Sequence, residues 1–257
     1  MAGDWRLAVM PGRRGAACRA PTPIRGVMVA LATVWNAVAA QSPVRLTGTF
    51  VETIRSEVIS QSGPAEHHRT VIRTAQFTAA PHGDTLVVTA DTISLTESTD
   101  NARRTIDVDA VIGARWKLLL PQRGRSSVIE SPVVPSYVAD VSNIGTAMDD
   151  FFPVEPPRLS IGAKATDSAG RSWQRLADSS GVGRYHYSGV RRTNTRSDDS
   201  VRVDTDENTS ESSEVAWAPA RGPMAWTRHI QTNVTTRFAG RTVRAQVDQR
   251  IAVRRTA

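Results

Sequence analysis

Cysteine is almost missing from these 257 residues: it occurs once, as Cys18. If residues 1–40 are removed, as argued below, none remains. The rest of the chain can then form no disulfide and offers no thiolate to a metal or a substrate. Exported eukaryotic domains commonly rely on disulfides, so their absence points to a bacterial envelope protein. Lysine is nearly as rare, since the 32 basic residues include only Lys117 and Lys164. Arginine stays charged at any ordinary pH, which raises the pI to 10.6 without making a nucleic-acid binder. Long apolar runs are lacking too. A helix that spans a bilayer takes about 20 apolar residues, and the longest run here is Gly26–Ala40, which includes Asn36. No transmembrane segment is expected in the chain beyond it.

That one run has another reading. Arg13, Arg14, Arg19 and Arg25 precede it, and small residues close it at Ala37-Val38-Ala39-Ala40. A basic region, a short apolar core and an A-x-A-like end make a secretory signal peptide, residues 1–40, with the working protein starting near Gln41. The expected location is periplasmic or extracellular. Residues 1–40 hold five arginines and one aspartate, so 27 basic side chains remain against 24 acidic ones, and the excess of +7 falls to +3. The signs alternate, as in Arg202-Val203-Asp204, instead of forming a stripe. Both facts disfavour a nucleic-acid partner.

What remains, residues 41–257, reads as strands. From Met224 to Phe238 one parity carries Met224, Trp226, Arg228, Ile230, Val234 and Phe238, and the other Thr227, His229, Gln231, Asn233, Thr235 and Arg237. After Ala239-Gly240 the alternation resumes, with Val243, Ala245, Val247, Ile251 and Val253 on one side. Period two places one set on a core face, and the glycine suits a tight hairpin. Near the start, Leu46, Phe50, Ile54 and Val58 share a parity, and Ser62-Gly63-Pro64 reads as a turn. Further strands are expected near 68–79, 85–96, 105–112, 116–120 and 126–130, then 172–176, 183–192, 200–204 and 214–217. The apolar parity slips between Ala90 and Ile93, which predicts a bulge near Asp91. Thr193–Asp199 and Glu207–Ser213 read as polar turns.

Between Pro135 and Pro153 the pattern changes. Tyr137, Val141, Ile144, Met148 and Phe151 recur at spacings of four and three, which predicts one amphipathic helix over 136–152, with Ser136 as its cap. The fold class is therefore mainly β: a curved antiparallel sheet or half-barrel with one central helix, or alternatively a two-sheet sandwich. It is read as one domain whose halves, 44–134 and 154–255, are joined by that helix.

Few residues suggest chemistry. His67-His68 would need further ligands to hold a metal, and adjacent strand residues face opposite ways. Asp204, Asp206 and Asn208 resemble the start of a calcium loop, but Thr209 and Val215 stand where its glycine and glutamate belong. Asp107 and Asp109 would share one strand face. A hydrolase would require His186, His229 and a carboxylate to converge, and no nucleophile motif accompanies them. No metal or cofactor is expected. The aromatics say more: Trp173, Trp226 and Phe238 on strands, with Met148 and Phe151 on the helix, would line an apolar pocket if the sheet curls beneath that helix.

The motif Pro157-Arg158-Leu159-Ser160-Ile161-Gly162 ahead of Trp173, the closing Ala220-Arg221-Gly222-Pro223-Met224-Ala225-Trp226 and the threonine-rich strands resemble exported bacterial β-rich proteins of a domain of unknown function. The expected topology is also similar to the half-barrels of envelope lipoprotein carriers. The expected function follows from the concavity beneath the helix: a non-enzymatic exported protein that binds an apolar small molecule, a lipid or an envelope protein there. The alternative is an interaction module with a filled core.

Overall fold

Alternating side chains and three two-residue turns build one sheet in the computed structural model, which describes residues 46–120, 126–142, 144, 147–197 and 202–256. The signal peptide read at 1–40 lies outside the described residues. The elements in chain order are β1 (Gly48–Ser62), β2 (Ala65–His82), β3 (Thr85–Thr99), β4 (Arg103–Ile106), β5 (Arg115–Leu119) and β6 (Ser127–Glu130). Then come α1 (Ser136–Ser142), β7 (Lys164–Thr166), β8 (Ser172–Arg175), β9 (Gly183–Ser197), β10 (Val203–Ala218), β11 (Gly222–Phe238) and β12 (Arg241–Arg255). All twelve strands join one antiparallel, curved and unclosed sheet. Its order is β6-β5-β3-β2-β1-β12-β11-β10-β9-β8-β7, with β4 beside β3. The sandwich alternative is thereby excluded, because no second sheet is present among the described residues. No helix among them is long and apolar enough to cross a membrane.

The strand order decides where everything else goes. β1 and β12 pair at the centre over their whole length, so the early strands spread to one side and the late strands to the other. The chain between β6 and β7, which sit at opposite edges, must cross the sheet. This strap carries α1 and packs Val138, Ile144, Met148, Phe151 and Phe152 on one face, the inner face.

Turn chemistry explains the hairpins. Gly63 takes φ +62 and Pro64 follows, whose ring holds φ near −65°, as a type II′ turn requires. At the β11–β12 turn Ala239 and Gly240 have φ +46 and +74, both positive as in type I′. The predicted bulge is present: Gln76 pairs with Thr92 and Phe77 with Ala90, leaving Asp91 unpaired, and its carboxylate accepts a 2.7 Å bond from Thr78 Oγ1.

Several expectations are corrected, among them the turn at Thr193–Asp199, whose residues 193–197 continue β9. The strand expected at 105–112 ends at Ile106, and a 3-10 turn follows at Asp109–Val111. Asp107 and Asp109 are not on one strand face: the Asp107 carboxylate accepts the backbone N–H of Asp109 and turns the chain. Of the segments expected at 200–204 and 214–217, residues 203–204 and 214–217 belong to a single strand, β10, and Glu207–Ser213 is its ladder-bonded middle. Residues 207–210 are polar on both faces of the sheet, whereas Glu211 pairs with the buried Arg228 and Ser213 is itself buried. Finally, the helix expected over 136–152 closes at Ser142, with a separate 3-10 turn at Ala147–Asp150. Ser142 Oγ bonds back to the Val138 carbonyl and accepts the N–H of Ile144, replacing the next helical bond. Pro135, not Ser136, supplies the first helical carbonyl.

Candidate binding site

The inner face is best followed row by row from the covered end. One row runs Ala75, Glu52, Val253, Trp226, Val215 and Tyr185 across β2, β1, β12, β11, β10 and β9. Phe50 and Phe77 face each other at the row before it. Onto this floor the strap lowers Met148, Phe151 and Phe152. Phe151 lies edge-on to Phe77 at 5.3 Å and to Trp226 at 5.6 Å, and Phe152 sits 5.4 Å from Phe50. Trp173 stacks at 4.6 Å on Tyr187 and donates its Nε1–H to Asp167 at 3.0 Å. Burial tends to raise the Asp167 pKa, but the bonds from Trp173 and Arg171 outweigh it and hold the carboxyl below its ordinary value.

Of the five residues proposed to line a pocket, the fold therefore brings together Trp226, Met148, Phe151 and, at the flank, Trp173, each at most 3% exposed. They fill one core. Phe238 lies elsewhere, at the far turn of β11 opposite Arg241. At about 3.3 Å per strand residue, Phe238 stands roughly 40 Å from Trp226 along that strand.

A band of buried charge borders this core. Arg73 pairs with Glu52, at 2% and 3% exposure. Glu97 takes Arg69 and Arg104 at 2.7 and 2.6 Å, and Arg228 takes Glu211 at 2.8 Å. Each arginine of the inner band also reaches the strap. Arg69 bonds the Asp140 carbonyl, Arg73 that of Ser142 and Arg228 that of Asp150. Buried ion pairs add little net stability but fix geometry, because either charge left alone is costly. Here they fix where the strap ends. The Tyr187 hydroxyl bonds Glu211 at 2.7 Å; burial, and then the Glu211 charge, push its pKa up. Glu52 and Arg228 were readable as charges at core parity, between Phe50 and Ile54 and between Trp226 and Ile230; their partners were not.

Just past the band lies a cavity of about 200 Å³, walled by Ile54, Phe151, Trp226, Ile230, Ile251 and Val253 with Glu52, Arg73, Asp150, Arg228 and Gln249. Beyond it no described residue is packed over the inner face. Successive rows carry Val58, Val247, Thr232 and Thr209, then Ser60, Ala245 and Val234, then Val243, Thr236 and Thr205. All are half-buried. The hydroxyls of Thr209 and Thr232 bond each other at 3.1 Å, and those of Thr205 and Thr236 at 3.4 Å.

The outer face is charged. A depression of about 440 Å³ sits over small residues there, among them Val51, Ala216, Ala225 and Ala252, beside the Arg184–Glu214 pair. His229 bonds Asp248 at 2.8 Å, and that bond holds the Asp248 pKa down. His186 stands two strands away, opposite Glu214, so the two histidines do not converge. His68 bonds the neighbouring Glu66, both exposed. Asp204 and Asp206 lie along β10, and Asp206 bonds Arg237 and Asn194. Among the described residues no set of three histidine, cysteine or acidic side chains gathers as a metal site.

No protein-family model matches the chain, and no curated protein matches it. Among solved structures it is similar to one titled "Lipid-protein interactions in lipovitellin", at 7% identity and a TM-score of 0.41. That match covers 82% of this chain but only 26% of the other. A superposition of that quality carries no functional inference.

Proposed function

We propose that this is an exported envelope protein that holds an apolar-tailed ligand on the inner face of its sheet, beyond the strap. The covered end of that face is closed by Phe151, Phe152 and Met148, so a ligand beneath the strap would have to displace the core. One observation carries the reading. An uncovered aliphatic surface of Val58, Val234, Val243 and Val247 continues directly from a cavity walled by Ile230, Ile251 and Phe151. Contiguous apolar area left open on a soluble face marks an interaction site. Its shape, long and several strands wide, suits an extended hydrocarbon tail.

The test is native mass spectrometry on protein recovered from the exported fraction. The expected species begins near Gln41 and carries an extra mass that leaves on unfolding. Val247→Arg should remove that mass while the melting temperature stays within about 2 °C, because an exposed-face change is worth roughly 0.5 kcal/mol. A clean apo mass would instead favour an interaction module. That second reading has its own support, the complete filling of the aromatic core, and would place contacts on the charged outer face.

A further inference from the structure

We infer that a second copy of this chain covers the distal rows of the inner face, so that the apolar tail lies between two sheets. The inference rests on the tail-binding reading above and names what closes the tail's other side.

The first observation is the contrast between the two faces of the same strands. From Val58 to Ser62 on β1, and in the neighbouring segments 243–247, 232–236 and 205–209, inner positions hold valine, alanine, serine or threonine. Glu207 is the one exception, and Arg191 and Thr209 already bond it. Of the eight outer positions between them, six hold Gln61, Arg244, Gln246, Asn233, Asp206 and Asn208. A sheet face that stays in water carries amides and charges, as this outer face does. A face of valines and hydroxyls is the side that another layer covers.

The second observation is that this face matches itself in size and shape. It runs from the strap edge at Ile230 to the tip at Phe238 and spans β1, β12, β11, β10 and β9. At about 3.3 Å per residue and about 4.8 Å between strands, it measures roughly 600 Å². Two copies would bury about 1,200 Å², the area at which stable, specific interfaces begin. The strap selects one arrangement. A two-fold axis along the strands would bring both straps to the same end and hold the distal rows apart. An axis across the strands places each strap beyond the other copy's tip, and the distal faces meet.

In that arrangement the valines of β1 and β12 meet their own kind, as do the threonines of β10 and β11. Phe238, on the inner parity at the tip of β11, arrives near the other copy's Ile230, at the mouth of the strap-edge cavity. Side chains as short as valine and threonine do not fill the roughly 10 Å between stacked sheets. The remaining layer takes the tail.

The experiment is sedimentation velocity of the full chain over a concentration series, with native mass spectrometry on the same samples. The expected species is a dimer that carries the tail mass. Val234 and Thr235 are neighbours on opposite faces of β11. Val234→Arg should weaken the dimer at least about a hundredfold and Thr235→Arg less than about threefold, both with an unchanged circular dichroism spectrum. Phe238→Ala should weaken it about tenfold; an equal affinity would overturn the tip-to-strap arrangement. A chain that is monomeric at about 100 μM and still carries the extra mass overturns the second copy and leaves the tail reading standing. So does a mass-carrying dimer that Val234→Arg leaves intact. A dimer without extra mass that Val234→Arg breaks supports the stacked faces and removes the tail reading. A monomer without extra mass ends both.

Discussion

Arg73 on β2 and Glu52 on β1 form a buried ion pair across a diagonal of the central strands. The pair lies where the covered half of the inner face ends, and its arginine also bonds the last turn of α1 at Ser142. One side chain therefore joins the floor of the core to its lid. Arg73→Met should cost about 3–5 kcal/mol, since it leaves Glu52 buried and unpaired. The double variant Arg73→Met with Glu52→Leu should regain most of that loss. Urea unfolding of the three proteins separates the outcomes; a double variant no better than the single one would show that the bond to Ser142 matters more than the charge.

Phe151 and Phe238 were grouped by sequence, and their environments differ. Phe151→Ala empties a site packed by Phe50, Phe77 and Trp226 and should cost about 3–5 kcal/mol. Phe238→Ala, at a half-buried hairpin end, should cost about 1 kcal/mol or less. Thermal melts of both would expose the idea as wrong if the losses were alike.

Ala239 adopts φ +46 at the β11–β12 turn, a region that disfavours side chains with a Cβ. Asn tolerates that conformation, and Asn-Gly is the preferred pair for a type I′ turn. Ala239→Asn should raise stability by about 0.5–1 kcal/mol. Differential scanning calorimetry should therefore give a higher melting temperature; a fall would mean that the turn is not under strain.

Asp167 carries the pH prediction. Its folded pKa lies below the ordinary 3.8 because Trp173 and Arg171 stabilise the carboxylate against the effect of burial. The unfolded chain thus takes up the proton at higher pH than the folded one. The stabilisation is present above 3.8 and is lost as pH falls through the folded value. Asp167→Asn should flatten this part of the acid limb of stability against pH, and an unchanged acid limb would contradict it.

The hairpins, their turns and the bulge at Asp91 were legible because each is local. A two-residue period, a glycine at a left-handed position and a parity slip leave marks within a few residues. The shortening of α1 was harder to see, since spacing alone does not reveal that the Ser142 hydroxyl competes for the helical bonds. The polar middle of β10 read as loop for a related reason: parity is read from apolar side chains, and Glu207–Ser213 has none.

Sequence by itself determined that this chain is mainly antiparallel β with one helical segment between Pro135 and Pro153, because side-chain alternation and turn chemistry act between near neighbours. Only the tertiary structure decided that β1 pairs with β12 at the centre, that the strap consequently spans the sheet, and that Phe151 fills the hollow Trp226 was expected to line. It alone joined Arg73 to Glu52 and left the distal rows from Val58 to Val234 open. Those outcomes depend on which distant strands meet and on how much of the inner face the strap can cover, and neither quantity is written in any local pattern.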